Sequence, residues 1–124
     1  MIIGTGIDIV EVSRIAEKIS RENGFREKVF SAHEIAYCEL MANPAEHYAA
    51  RFATKESFLK ATGKGLLFGY DLYEIEVKAD SDGKPSIYLS GSMAEKAQEN
   101  NWTKIHVSLS HVQSMACAVV IIEG

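Results

Sequence analysis

Apolar and polar positions alternate over the first ten residues, with Ile3, Ile7 and Ile9 on one face and Ile2, Gly4, Gly6 and Asp8 on the other. A period of two predicts a β-strand. Two glycines beside an acid either let something approach the backbone closely or mark a bulge or tight bend; the residues alone leave both open. From Glu11 to Asn23 the period lengthens, placing Val12, Ile15, Ala16 and Ile19 on one helical face, and Gly24 is the expected C-terminal cap. A second helix is expected from Ser31, because Ser31 and Glu34 have the spacing of a capping box. A third takes Asn43 as N-cap and Pro44 as its first residue, runs to about Thr62 and stops at Gly63.

The second half is richer in strands. Tyr73, Ile75, Val77 and Ala79 alternate with Glu74, Glu76, Lys78 and Asp80, the pattern of a half-buried strand. Asp82-Gly83 is a turn dipeptide, and Ile87 to Leu89 is the return strand of a hairpin. Ser92 with Glu95 opens a short helix through about Asn100. Two further strands follow, Lys104–Ser110 with Ile105, Val107 and Leu109 inward, and Met115–Ile122. Strands and helices do not alternate as βαβ units, so the predicted class is α+β with a largely antiparallel sheet. Residues 1–124 carry no linker, low-complexity segment or internal repeat, and are read as a single domain.

Composition changes this picture little. A chain of 124 residues, 47% hydrophobic and 24% charged, is ordinary for a soluble globular protein, but its core is small and oligomerisation would bury more apolar surface. Its longest apolar run, Ala116–Ile122, falls far short of the roughly 20 residues that span a bilayer. No basic segment precedes an apolar stretch at the N-terminus, so no secretory signal is expected. Cys38 and Cys117 form no disulfide framework or thiolate metal pattern, and are expected to be buried, reduced thiols of a cytoplasmic protein. The net charge of −4 argues against a nucleic-acid partner.

Charge is nevertheless unevenly placed. Asp8 ends an apolar strand, and Glu56 lies in the middle of the long third helix. Together they could hold a hard cation such as magnesium, which takes one or two protein carboxylates plus waters and substrate phosphates. Alternatively, Glu56 is an exposed partner of Lys60 one turn on, worth about 0.2–0.5 kcal/mol. Arg51, Lys55 and Lys60 make this helix cationic for an acidic protein, and Gly63-Lys64-Gly65 follows it. That segment is either a phosphate holder or a helix cap with a solvated lysine; it lacks the spacing of a Walker A loop. His106, Ser108 and Ser110 share a polar strand face that ends at His111. No Gly-x-Ser-x-Gly elbow accompanies them, so hydrogen bonding to a ligand or a carbonyl is expected rather than nucleophilic catalysis. The histidines at 33, 47, 106 and 111 show no zinc spacing. Arg14, Lys18 and Arg21 fall within roughly 60° of arc on the first helix, opposite Ile15 and Ile19. The ridge is either a solvated face or a dock for an acidic partner, with Phe25 as an apolar anchor.

Three segments, taken in order, resemble one family. Gly6-Ile7-Asp8-Ile9-Val10, Arg51-Phe52-Ala53-Thr54-Lys55-Glu56-Ser57-Phe58 with Lys60, and His106-Val107-Ser108-Leu109-Ser110-His111 are similar to the 4′-phosphopantetheinyl transferases, and the chain's length to their short holo-acyl-carrier-protein synthase type. The resemblance implies a transferase that moves 4′-phosphopantetheine from coenzyme A to a serine of an acidic acyl carrier protein in fatty acid biosynthesis. It implies Asp8 and Glu56 as Mg2+ ligands, with Asp8, Glu56 and Lys60 at the catalytic centre. Coenzyme A contacts are implied at Arg51, Gly63, Lys64, Gly65, Gly83, Lys84, Pro85 and His111, from two neighbouring subunits of a homotrimer. Arg14, Lys18, Arg21 and Phe25 are implied in carrier docking. Thr54 and Ser57 depart from the alanines commoner in the motif. Two readings of other classes stand beside this one: a non-catalytic coenzyme A or nucleotide-binding module, and a structural oligomer whose charges are solvated surface.

Overall fold

A computed structural model of the chain describes residues 1–63 and 71–124. Strand β1 (Ile2–Glu11) leads into helices α1 (Val12–Ser20), α2 (Phe25–Val29), α3 (Ala32–Glu39) and α4 (Pro44–Ala61). A 3-10 turn at Leu72–Glu74 precedes the hairpin β2 (Ile75–Ala79) and β3 (Pro85–Leu89). Helix α5 (Gly91–Glu99), β4 (Lys104–His111) and β5 (Met115–Glu123) complete the chain. Two antiparallel sheets result, one ordered β1-β5-β4 and one formed by the hairpin alone. The α+β class therefore holds, with the strands divided between two sheets.

Helix α4 is the centre of the molecule. Tyr48, Ala49, Ala50, Ala53, Phe58, Leu59 and Ala61 are buried around its circumference, against one apolar cluster near α1, α2 and α3 and another near β2, α5 and β5. Beyond its first turn only Phe52, Glu56 and Lys60 are less covered, so the helix has no broad polar face opposite an apolar one. Its small residues let strand β1 approach closely. A Cβ built on Gly4 would lie 1.8 Å from the Ala61 carbonyl oxygen, and one on Gly6 would lie 1.9 Å from that of Ser57. This resolves the alternatives left open at the glycines: the object that approaches the backbone is α4.

The opposite face of β1 is bare. Ile7 and Ile9 are 68% and 63% exposed, and they pair across the sheet with Val119 and Cys117. Outward-facing His106, Ser108 and Ser110 of β4 complete this surface.

Within the core, Lys55 is fully buried. Its ammonium donates to Glu34 Oε1 at 2.8 Å, to the Ile75 carbonyl at 2.6 Å and to the Leu72 carbonyl at 3.0 Å. Burial pushes its pKa down, while Glu34 pulls it back up. Glu34 also accepts from the Ser31 and Val77 amides at 2.9 Å, and the Ser31–Glu34 capping box is formed at both bonds. One ion pair thus ties α3, α4 and β2 together.

Several boundaries differ from the pattern's prediction. Helix α1 stops at Ser20 rather than Asn23, because Arg21 is extended. Gly24, at φ 87°, does not cap α1 but starts α2, a five-residue helix that the pattern did not predict. Tyr73 and Glu74 lie in the 3-10 turn rather than in a strand, since Glu74 accepts from the Ser92 hydroxyl (2.7 Å) and the Met93 amide (3.1 Å) at the start of α5. Ser92 is therefore engaged outside any capping box, and Ser90 is the N-cap. Asn43, Pro44, Thr62 and Gly63 stand as expected, with Gly63 at φ 77°. Lys64, Gly65 and the rest of 64–70 lie outside the described residues.

Candidate active site

Asp8 and Glu56 meet where β1 crosses α4. Asp8 projects from the same face of β1 as Gly4 and Gly6, so the close approach of strand and helix brings the two acids together. Lys60, one turn beyond Glu56, donates to Asp8 Oδ1 and to the Ile7 carbonyl, both at 3.0 Å. The simple helix-surface pairing of Glu56 with Lys60 is thus replaced by a Lys60 contact to the strand. Burial pushes the Glu56 carboxyl above its ordinary pKa of 4.5, and the Asp8 charge adds to the rise. Lys60, Lys18 and Arg14 oppose it. Two acids that repel each other at a half-buried position, with cations around them, suit a divalent ion. No group of three or more His, Cys, Asp or Glu side chains converges among the described residues, so the protein's share of such a site is this pair.

Helix α1 packs against α4, and its Lys18 and Arg14 oppose the upward shift of the Glu56 carboxyl. The ridge itself is less regular than its sequence spacing implies. Arg21 lies beyond the end of α1 and pairs with Glu17 at 2.5 Å, with both side chains largely exposed. Lys18 sits over the Phe25 ring at 5.5 Å, and Phe25 packs half-buried against Phe30 and Phe52. Phe25 is therefore half-covered, beneath Lys18 and against the core, rather than standing free.

A second cluster lies on another side of α4. A cleft of about 160 Å³ is lined by Tyr37, His47, Arg51, Gly83, Pro85 and His111, among others. Four of the expected coenzyme A residues are thus brought together; exposed Lys84 belongs to the same turn, between Gly83 at φ 84° and Pro85. The Arg51 guanidinium stacks on Tyr37 at 4.1 Å and is only 4% exposed, yet its Nε has no hydrogen-bond partner and it forms no ion pair among the described residues. His111 Nδ1 lies 2.9 Å from Glu46 Oε1. Tyr37, Glu46 and His47 were not singled out from the sequence. His47 stands four residues before Arg51, a helical spacing that would have put both on one face; Tyr37 becomes visible only once α3 is placed. His106 is not in the cleft: it faces outward and pairs with Glu123 at 2.5 Å, which holds that carboxyl below its ordinary value.

Arg51 and Glu56 are five positions apart on α4, which is roughly 140° about the axis and about 7.5 Å along it. A carboxylate pair with a lysine and a separate cationic cleft thus lie on different sides of one central helix. A sequence profile described as the 4′-phosphopantetheinyl transferase superfamily matches residues 4–120, and the chain belongs to that family. Over 125 residues it is 49% identical to a holo-[acyl-carrier-protein] synthase of Syntrophus aciditrophicus (strain SB), covering 100% of this chain and 98% of the relative. Its fold is similar to the crystal structure of the holo-[acyl-carrier-protein] synthase from Neisseria meningitidis, with a TM-score of 0.90, 27% identity and full coverage of both chains. It is also similar to the Bacillus anthracis synthase solved in complex with coenzyme A (3′,5′-ADP), with a TM-score of 0.80, 31% identity and coverage of 98% and 96%.

Proposed function

We propose that the chain is a magnesium-dependent holo-[acyl-carrier-protein] synthase, transferring 4′-phosphopantetheine from coenzyme A to a serine of an acidic apo-acyl-carrier protein. The products are holo-acyl-carrier protein and adenosine 3′,5′-bisphosphate, the setting is fatty acid biosynthesis in the cytoplasm, and residues 1–124 act as one domain. The observation that carries this reading is the half-buried Glu56 facing Asp8, with Lys60 on Asp8 and the basic side of α1 alongside.

Asp8 and Glu56 would hold Mg2+, which when bound would supply charge neutralisation for the coenzyme A pyrophosphate. The carrier serine Oγ forms the new bond to the β-phosphorus, and the P–O bond to 3′,5′-ADP breaks. The serine proton passes to Glu56 or to a water held at the carboxylates. Lys60 is exposed enough to swing from Asp8 to the phosphoryl oxygens and stabilise them. Arg14, Lys18 and Arg21 attract the acidic carrier, and the first two deliver its serine next to Glu56.

Arg51, Gly83, Lys84, Pro85 and His111 hold the nucleotide end of coenzyme A. Because Arg51 and Glu56 diverge around α4, a complete site draws the cleft from one subunit and the carboxylates from the next. The bare sheet face of Ile7, Ile9 and Val119 supports a homotrimer built on that surface.

The test is mass spectrometry of an apo-carrier incubated with coenzyme A, Mg2+ and the protein. A gain of one phosphopantetheine that EDTA prevents is expected. Ligand binding that survives EDTA, with no carrier modification and no 3′,5′-ADP released, would instead identify a binding module. Reversing Arg14 and Lys18 to glutamate is expected to weaken carrier binding at least tenfold by calorimetry, while coenzyme A affinity changes little.

A further inference from the structure

The cleft gathers three basic side chains, His47, Arg51 and His111. His47 and Arg51 are one turn apart on α4, so both side chains rise from the same side of the helix. The His47 ring meets Tyr37 of α3 edge-on at 5.9 Å, and meets His111 of β4 at 4.8 Å with an interplanar angle of 64°. Arg51 is a permanent cation, buried with its Nε unsatisfied and without a carboxylate partner among the described residues. A buried charge in that condition is costly, and a phosphate group matches both its charge and its fork of donors.

The surroundings decide what happens to the neighbouring ring. Tyr37 faces His47 from α3, His111 from β4, and Glu46 and Arg51 from its own helix. The β2–β3 hairpin lines the cleft with Val77, Ala79, Gly83 and Pro85, none of which titrates. Glu46 is already engaged by His111. Burial, His111 and Arg51 keep His47 below its ordinary value of 6.5, with Glu46 opposing them. In the free cleft these groups therefore disfavour the imidazolium form of His47, which lies on the same side of α4 as the unpaired Arg51 cation.

We propose that His47 is the proton-accepting residue of this subsite: when the ligand's phosphate settles against Arg51, the ring takes one proton from solvent and becomes imidazolium. This rests on the cleft being the coenzyme A phosphate site. Binding of the phosphorylated ligand is then coupled to proton uptake, and by reciprocity a lower pH strengthens binding. The sign follows from the bound state: the contribution is fully present below the free-state value of His47, and is lost as pH rises through the higher bound-state value. The phosphate's own second ionisation, near about pH 6, acts in the opposite direction. Comparison with His47→Phe cancels it.

The experiment is a titration of the histidine ring signals by NMR, with and without saturating 3′,5′-ADP, paired with calorimetry on the parent, His47→Phe and Arg51→Ala. His33, which is outside the cleft lining, is the internal reference. The His47 midpoint is expected to rise by about one unit on binding, equivalent to a roughly tenfold affinity gain on protonation. The ratio of parent to His47→Phe affinity should fall about tenfold from about pH 5 to about pH 8. A His47 midpoint that does not rise under calorimetrically verified saturation overturns the inference and leaves the cleft reading intact. Failure of 3′,5′-ADP to bind, or equal binding by Arg51→Ala, overturns the cleft reading and the inference with it. Because the ring titration is done on the parent chain, a poorly folding His47→Phe does not prevent the test.

Discussion

In the proposed mechanism Glu56 serves function against stability. Its carboxyl is raised by burial and by Asp8, so its charged form carries a penalty in the folded state at neutral pH. The unfolded chain holds the proton less tightly than the folded one, and stability attributable to this group therefore rises as pH falls. Glu56→Gln removes the penalty. Its melting temperature is expected to exceed the parent's at neutral pH, with the gap closing toward the ordinary carboxylate range in a calorimetric pH series. Turnover in the carrier-modification assay should fall by about a hundredfold or more. The departures from the family motif at Thr54 and Ser57 have a simpler account. The Thr54 hydroxyl donates to the Ala50 carbonyl and that of Ser57 to the Ala118 carbonyl, both at 2.9 Å, so neither buried oxygen is left unsatisfied.

Among the elements, α3, α4 and the start of β2 depend on the Lys55–Glu34 pair. Lys55→Met strands a buried carboxylate and is expected to cost about 3–5 kcal/mol in urea unfolding. Adding Glu34→Gln keeps a side chain able to cap Ser31 while removing the charge, so the double variant should recover part of that loss. Local signals in the sequence found these helices: the Ser31–Glu34 box, Asn43-Pro44 and Gly63 all act within a few residues. They did not find the pair itself, because Glu34 and Lys55 are 21 positions apart and each has a plausible role in its own helix. The alternation through Tyr73 and Glu74 mimicked a strand for the same reason. Glu74 is fixed by a contact with α5, 18 residues further on, to which a periodicity of two is blind. Helix α2 was hidden because a glycine with positive φ reads equally well as the end of one helix or the beginning of the next. The carboxylates were legible as candidates, whereas their neighbours Tyr37, Glu46 and His47 depended on the packing of α3 and β4 against α4.

For the whole molecule, the outer sheet face is the largest question of assembly. Ile7 and Ile9 on β1 and their partners on β5 form an apolar surface that a monomer would leave in water. Light scattering of the parent is expected to give three chain masses. Ile7→Lys, which places a charge in the proposed interface, is expected to give one chain mass, with loss of carrier modification. A parent that runs as a single chain at full activity would overturn the two-subunit site. The pattern of residues announced an apolar face on β1, but not that it is the face turned away from the core. That outcome follows from the glycines, which let α4 claim the other side.

The same glycines have a consequence for how the chain tolerates change. The separation of Asp8 from Glu56 is set by how near β1 lies to α4, and that nearness exists because Gly4 and Gly6 lack side chains. A single methyl at either position must push the strand that carries one acid away from the helix that carries the other. Part of the site is thus recorded in atoms that are missing. A saturation library scored only for turnover should mark Gly4 and Gly6 as intolerant alongside Asp8 and Glu56, though neither glycine touches the reaction.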